Sequence, residues 1–227
     1  MTTLWTDLLR LFFPKPCCIC GRRLGAEEKE FCFECASQFS HTDDDKHPNR
    51  TEELFIGLPG IKSAYALFTY KKGDHVQRLI HALKYHDRPK IGYWLGKMAA
   101  EELKKSDSPL LQAEVIVPVP LHPARMRSRG YNQSEWIARG FSEVWNIPID
   151  TRSLIRIHNN TSQTKHSATE RWLNTSEIFS LARPDTAGKH ILLIDDVITT
   201  GSTLTHCAEI LLQQADTQVS IFALARV

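Results

Sequence analysis

The sequence has no uninterrupted apolar run near the roughly 18 residues that a membrane span requires. Its one apolar stretch near the start, residues 4–13, is broken by Asp7 and Arg10. It also shows no basic n-region, continuous apolar core and small-residue cleavage site of a secretory leader. These absences predict a cytoplasmic protein with no membrane span, and the helical recurrence of Leu4, Trp5, Leu8, Leu9 and Phe12 predicts a short amphipathic helix packed on the body. Excess charge of one sign is missing as well. With 28 Lys plus Arg against 26 Asp plus Glu, the formal net charge is +2, so any nucleic-acid surface has to be local. No G-x-x-x-x-G-K-[ST] loop occurs. Gly188-Lys189 is followed by His190 and has Arg183 where the first glycine belongs, which excludes P-loop nucleotide hydrolysis. There is no internal repeat or low-complexity tract. What remains is ordinary globular composition, 42% apolar and 24% charged over 227 residues, enough for one full domain and a smaller unit.

Cysteine is scarce but clustered: five of the six lie between positions 17 and 35, and Cys207 stands apart. Cys17-x-x-Cys20 and Cys32-x-x-Cys35 supply two thiolate pairs of the spacing that reaches one tetrahedral ion. Gly21 follows the first pair, where a turn under a metal favours a residue tolerant of positive φ. A reducing compartment disfavours disulfides as the alternative, so the expected site is structural zinc, with four thiolates leaving no open position for water. Cys18 competes with Cys17 as a ligand, at a less favourable spacing. Residues 41–53, with Asp43, Asp44, Asp45, Lys46, His47, Pro48 and Asn49, read as an exposed polar connector rather than a calcium loop. The organisation expected is thus a module over 1–53 (helix, zinc site and connector) and a domain over 54–227.

Within that domain, strands are predicted at Ala64–Tyr70, Glu114–Pro120, Ser153–Ile157, Lys189–Ile194 and Val219–Ala225. Helices are predicted from Val76 to Leu83, Ile91 to Lys104, Tyr131 to Trp145 and Thr203 to Gln213. Alternation of the two implies a parallel α/β sheet flanked by helices. His158–Ser167, continuing towards Arg171 and Asn174, is long and polar, and reads as a mobile loop over a site.

The most informative segment is Ile191 to Leu204, I-L-L-I-D-D-V-I-T-T-G-S-T-L. Four apolar residues make a strand buried on both faces, and Asp195 and Asp196 then fall where open α/β sheets bind ligands. Thr199, Thr200, Gly201, Ser202 and Thr203 follow, small hydroxyl residues around a glycine at a helix start, which is a phosphate cradle. Two adjacent carboxylates before such a cradle suit the vicinal hydroxyls of a ribose 5-phosphate, with magnesium holding further negative groups.

This segment resembles the phosphoribosyl pyrophosphate signature of type I phosphoribosyltransferases. By that resemblance, Asp195 and Asp196 contact the ribose hydroxyls, Thr199 to Thr203 bind the 5-phosphate, and Val115 to Leu121 form the first strand and pyrophosphate loop. The stretch V-P-V-P-L-H-P-A-R-M-R-S-R-G-Y-N-Q-S-E narrows the resemblance to the ComF family, late competence proteins that join a four-cysteine zinc finger to a phosphoribosyltransferase domain. Ala82-Leu-Lys-Tyr85 and the segment from Asn160-Thr-Ser-Gln-Thr164 to Glu170-Arg171 are similar to that family as well. The implied function is binding of phosphoribosyl pyrophosphate with Mg, connected to DNA uptake.

If the domain is catalytic, pyrophosphate leaves C1 of the ribose, and Arg125, Arg127 and Arg129 are the candidate pyrophosphate contacts, since a guanidinium pairs with phosphate oxygens at two points. Lys165 and Arg171 are candidates to enter with the loop. Thr199 stands where enzymes acting on 6-oxopurines carry an aspartate, which argues against hypoxanthine or guanine as acceptor, and no glutaminase nucleophile is available. The alternative is a non-catalytic single-stranded DNA-binding protein that uses Arg125, Arg127, Arg129 and Arg139 interleaved with Tyr131 and Trp136; a further one is a scaffold for competence proteins contacted through the zinc module. His75, His81 and His86 read as surface histidines of a helix.

Overall fold

A computed structural model describes residues 15–44, 49–157 and 178–227. The helix expected within residues 4–13, residues 45–48 of the polar run and the loop candidates Lys165 and Arg171 lie outside these residues.

In chain order the elements are α1 Phe33–Ala36, α2 Arg50–Glu53, β1 Ile61–Thr69, α3 His75–Tyr85, α4 Lys90–Lys105, β2 Val115–Pro118, α5 Pro123–Arg129, α6 Gln133–Trp145, β3 Leu154–Arg156, β4 Phe179–Leu181, β5 His190–Ile198, α7 Ser202–Leu212 and β6 Gln218–Arg226. Four strands form one sheet in the order β1-β6-β5-β2, and every pairing in it is parallel. The apolar runs of β5 and β6 sit at its centre, where both faces are covered. Leu192, Ile194, Phe222 and Leu224 point into a core closed by Leu79, Leu83, Leu95, Ile137 and Phe141 of α3, α4 and α6. Their neighbours Ile191, Leu193, Val219, Ile221 and Ala223 point the other way, against Leu204, Cys207, Ala208 and Leu211 of α7. The period-two alternation of a strand thus divides the interior into two apolar layers. Helices α4 and α6 cross where Gly96 and Gly140 meet, and a Cβ on either would overlap the backbone of the other helix.

Two expectations are corrected. Ser153–Ile157 was expected to add a strand to the parallel sheet, yet the chain touches β2 only at the Ile116–Ile149 bridge. The Asp150 carboxylate then accepts from the N–H groups of Arg152 (2.7 Å) and Ser153 (3.1 Å) and turns the chain away. β3 pairs instead with β4, antiparallel, as a separate ribbon. Residues 41–53 were expected to be an exposed connector. In the structure Thr42, Asp44, Asn49 and Thr51 are buried, because β1 is an edge strand whose backbone groups need partners. The Asn49 amide donates to the Ala64 carbonyl (2.9 Å), the Asp44 carboxylate accepts from the Ala66 N–H (3.0 Å), and the Thr42 hydroxyl donates to the Ala66 carbonyl. Arg226 faces Asp44 at 3.7 Å. Polarity here satisfies a sheet edge rather than water.

Candidate functional site

The two aspartates emerge where the sheet opens. β2 pairs with β5 only from Val115–Ile191 to Pro118–Ile194, whereas β6 stays beside β5 as far as Ile198. Strand β5 therefore runs four residues beyond the expected end at Ile194, and Asp195 and Asp196 occupy the stretch that has lost its β2 neighbour. Such a gap at the carboxyl end of parallel strands is the crevice in which these sheets hold ligands.

The carboxylates are held differently. Asp195 accepts from the Ser134 hydroxyl at the start of α6 (3.0 Å) and from the Asp196 N–H (2.8 Å). Loss of hydration and the neighbouring Asp196 charge push its pKa up to about 7, against the ordinary 3.8. Asp196 is buried and pairs with Lys84 Nζ of α3 at 3.1 Å. Sequence reasoning missed both partners: Ala82–Tyr85 was noted only as a family-like segment, and Ser134 only as the end of the R-G-Y-N-Q-S-E stretch. Ser134 is placed by Asn132, which caps α6 through the Ser134 N–H (3.1 Å) and donates to the Val119 carbonyl after β2 (3.0 Å).

After β5 the chain turns through Thr199 and Thr200, both exposed. Gly201 at φ +78° caps α7 with no side-chain capping bond of its own, and the Ser202 N–H beside it reaches the Thr200 hydroxyl at 3.5 Å. Thr200 and Ser202 hydroxyls lie 2.8 Å apart on the same rim. Gly201 is needed for its left-handed backbone; a Cβ there would stand in ordinary contact with Phe55 and Leu54, 3.5 and 3.6 Å away.

The arginines of α5 are not all gathered. Arg125 and Arg127 are exposed, and Arg129 lies over the Tyr85 ring at 5.5 Å. The β3 residue Arg156, not singled out from sequence, feels both the Arg125 charge and the Asp195 carboxylate. Burial, with Arg125 adding to it, lowers its pKa. Its guanidinium stacks over Phe179 at 5.2 Å. The interleaved basic and aromatic patch holds together only in part, with the exposed Arg139 guanidinium over the Trp136 ring at 4.7 Å. Tyr131 is buried and its hydroxyl donates to the Leu83 carbonyl, Trp136 packs against the core, and Arg139 is paired with Glu135 at 2.7 Å.

At the other end of the chain, Cys17, Cys20, Cys32 and Cys35 place all four Sγ atoms within 4.8 Å of one another, and this is the one metal-type cluster of side chains among the described residues. The Cys17–Cys35 and Cys20–Cys32 sulfurs are 3.9 and 3.8 Å apart. Four sulfurs about 2.3 Å from a tetrahedral zinc are separated by about 3.8 Å, so the donor set fits that ion. The knuckle is shaped by Gly21 at φ +76° and by N–H groups of Ile19 and Cys32 directed at the Cys17 sulfur (3.5 and 3.4 Å). Cys18 lies outside the cluster, packed against the main core, where burial and the adjacent Cys17 push its thiol up to about 12.

A phosphoribosyl transferase domain family matches residues 111–226. The DNA utilization protein YhgH of Escherichia coli (strain K12) is 32% identical over 150 residues, 65% of this chain and 66% of that protein. Competence protein F of Haemophilus influenzae is 31% identical over 156 residues, with the same shares, and competence protein ComFC of Bacillus subtilis is 39% identical over 113 residues, 49% of this chain and 44% of that one. The chain thus spans just under two thirds of the length of the first two relatives. Among the described residues no helix is long and apolar enough to cross a membrane.

Proposed function

The chain belongs to the ComF family of phosphoribosyl transferase domain proteins, and from this we propose that the β5–α7 junction binds phosphoribosyl pyrophosphate with Mg. Asp195 and Asp196 take the ribose hydroxyls, while Thr199, Thr200, Gly201, Ser202 and Thr203 take the 5-phosphate. The observation that carries the reading is the pair of carboxylates beyond the end of β2, leading directly into a helix start with no side-chain cap. Lys84 is the lid on Asp196 that the ligand and its metal displace. The pyrophosphate lies towards Arg125 and Arg156, whose guanidinium groups can each pair with phosphate oxygens at two points, with Arg127 and Arg129 as further candidates on α5. Bound Mg would add charge stabilisation at the pyrophosphate oxygens.

Zinc at Cys17, Cys20, Cys32 and Cys35 is proposed as structural. The printed names of the relatives, competence protein and DNA utilization protein, support a link of this chain to competence, and DNA uptake is the setting proposed for the sugar-phosphate site. The test is calorimetric titration of phosphoribosyl pyrophosphate with Mg into zinc-loaded protein. Saturable binding, lost by at least a hundredfold in a folded Asp195→Asn, Asp196→Asn variant, is the expected result; unchanged affinity in that variant overturns the assignment.

A further inference from the structure

Glu28 lies in the loop between the two cysteine pairs and is buried, where a carboxylate persists only with donors around it. Its Oε1 accepts from the Arg22 guanidinium (2.7 Å) and from the Phe33 N–H at the start of α1 (2.8 Å), and its Oε2 accepts from the Gly25 N–H (2.6 Å). One side chain thus fixes the turn after the first pair, the helix start at the second pair and the direction of a guanidinium.

Arg22 is tied to both cysteine pairs. Its carbonyl accepts from the Cys17 N–H (2.7 Å), and its guanidinium, besides meeting Glu28, donates a hydrogen bond to the Cys32 sulfur. The side chain is 49% exposed, so the core does not hold it, and a long half-solvated arginine left to itself samples many rotamers. Glu28 removes that freedom. Backbone N–H groups also point at cluster sulfurs, those of Ile19 and Cys32 at Cys17 (3.5 and 3.4 Å) and that of Cys35 at Cys32 (3.4 Å). Arg22 differs from them in bringing a full positive charge. The cluster calls for one, because four thiolates outweigh the charge of a divalent ion and the loaded site is an anion.

We propose that Arg22 and Glu28 are positioning residues of the metal site: Glu28 orients the guanidinium, and Arg22 gives Cys32 a charge-assisted N–H···S bond that stabilises its thiolate and keeps that sulfur on the metal. Cys32 faces Cys20, the exposed member of the set, at 3.8 Å, so the bond acts on the side from which water and competing ligands reach the ion. The role rests on the structural zinc proposed above. Groups that hydrogen-bond a metal's ligands in this way are worth about 10–100-fold in metal affinity, whereas an exposed arginine that only pairs with a carboxylate contributes little.

The test measures zinc release from zinc-loaded protein to excess pyridylazoresorcinol and, after exchange of zinc for cobalt(II), the thiolate-to-cobalt charge-transfer band. Arg22→Met keeps the length of the side chain and loses its donors. It is expected to release zinc about tenfold faster or more and to move the band to longer wavelength, because a sulfur without its charge-assisted hydrogen bond gives up an electron more readily. Arg22→Lys, with the charge but not the planar fork, falls between the two. Glu28→Gln leaves the guanidinium less firmly held and moves both readouts in the same direction; if the loop does not fold in that variant, Arg22→Met, at a half-exposed position, carries the test. Release from Arg22→Met at the parent's rate overturns the proposal. So does faster release with the band unmoved, which is the behaviour of an arginine that only helps the loop to fold. A parent protein that holds no zinc overturns the metal reading itself, whereas zinc held equally by parent and variants overturns only the roles of Arg22 and Glu28.

Discussion

The knuckle from Cys17 to Cys35 and the four-stranded sheet are held together by different means. The sheet buries two apolar layers, with Phe222 at 4.6 Å edge-on to Phe141 and fully enclosed. The knuckle's own buried apolar cluster is three cysteines, with Ile19, Leu24 and Phe31 partly buried against them. One region folds because water is excluded from many side chains; the other gathers four sulfurs, the donors of the proposed zinc, and rests Cys18, Ile19 and Phe31 on the main core.

The sharpest way to break this contrast is Cys32→Ser, which removes one buried sulfur from the cluster. Zinc content should fall from one ion per chain to less than a tenth, and amides of residues 17–36 should lose hydrogen-exchange protection. Metal binding supplies about 10–16 kcal/mol in comparable small modules. The sheet's thermal transition should survive, and its disappearance would show that the two regions fold as one. The converse substitution, Phe222→Ala, should cost the sheet about 3–5 kcal/mol in denaturant unfolding, through lost burial and the cavity left behind. Zinc stoichiometry measured on the folded fraction should not change. Loss of zinc in that variant would reverse the comparison, making the knuckle dependent on the core.

The smallest effect concerns the open end of the sheet. Asp195 is held with its pKa up to about 7, above the ordinary 3.8. Folding therefore carries no added cost from this group below about pH 4; the cost of keeping it charged grows between about pH 4 and 7 and is constant above that. Asp195→Asn should accordingly raise the melting temperature at pH 8 by a few degrees, with the gain shrinking as pH falls and vanishing near pH 4. A variant less stable than the parent at pH 8 would mean that the Ser134 and Asp196 contacts outweigh the unfavourable charge.

Much of the site was legible because it is contiguous. The cysteine pairs, the aspartates and the Thr199–Thr203 loop each act through neighbours within a few positions, so spacing alone exposes their chemistry. The apolar run of β5 and the helical faces of α3, α4, α6 and α7 were legible for the same reason, since period carries the burial pattern. Ser153–Ile157 has the composition of a sheet strand, and only the Asp150 turn sends it into a separate ribbon with β4. The polar run after His41 has the composition of a solvated linker, and only the edge position of β1 gives its side chains backbone partners.

By itself the sequence determined which residues form the candidate metal and phosphate sites, because such sites reside in short runs whose donor atoms are fixed by local backbone geometry. Tertiary structure alone decided that Lys84 and Ser134 hold the aspartates, that Arg156 shares their field with Arg125, and that Cys18 and Ile19 of the knuckle pack on the main core. Those pairs are separated by tens of residues. Their meeting depends on where β2 stops, how α3 and α6 lean on the sheet and where the knuckle is seated, which are outcomes of packing and leave no periodic or spaced mark in the chain.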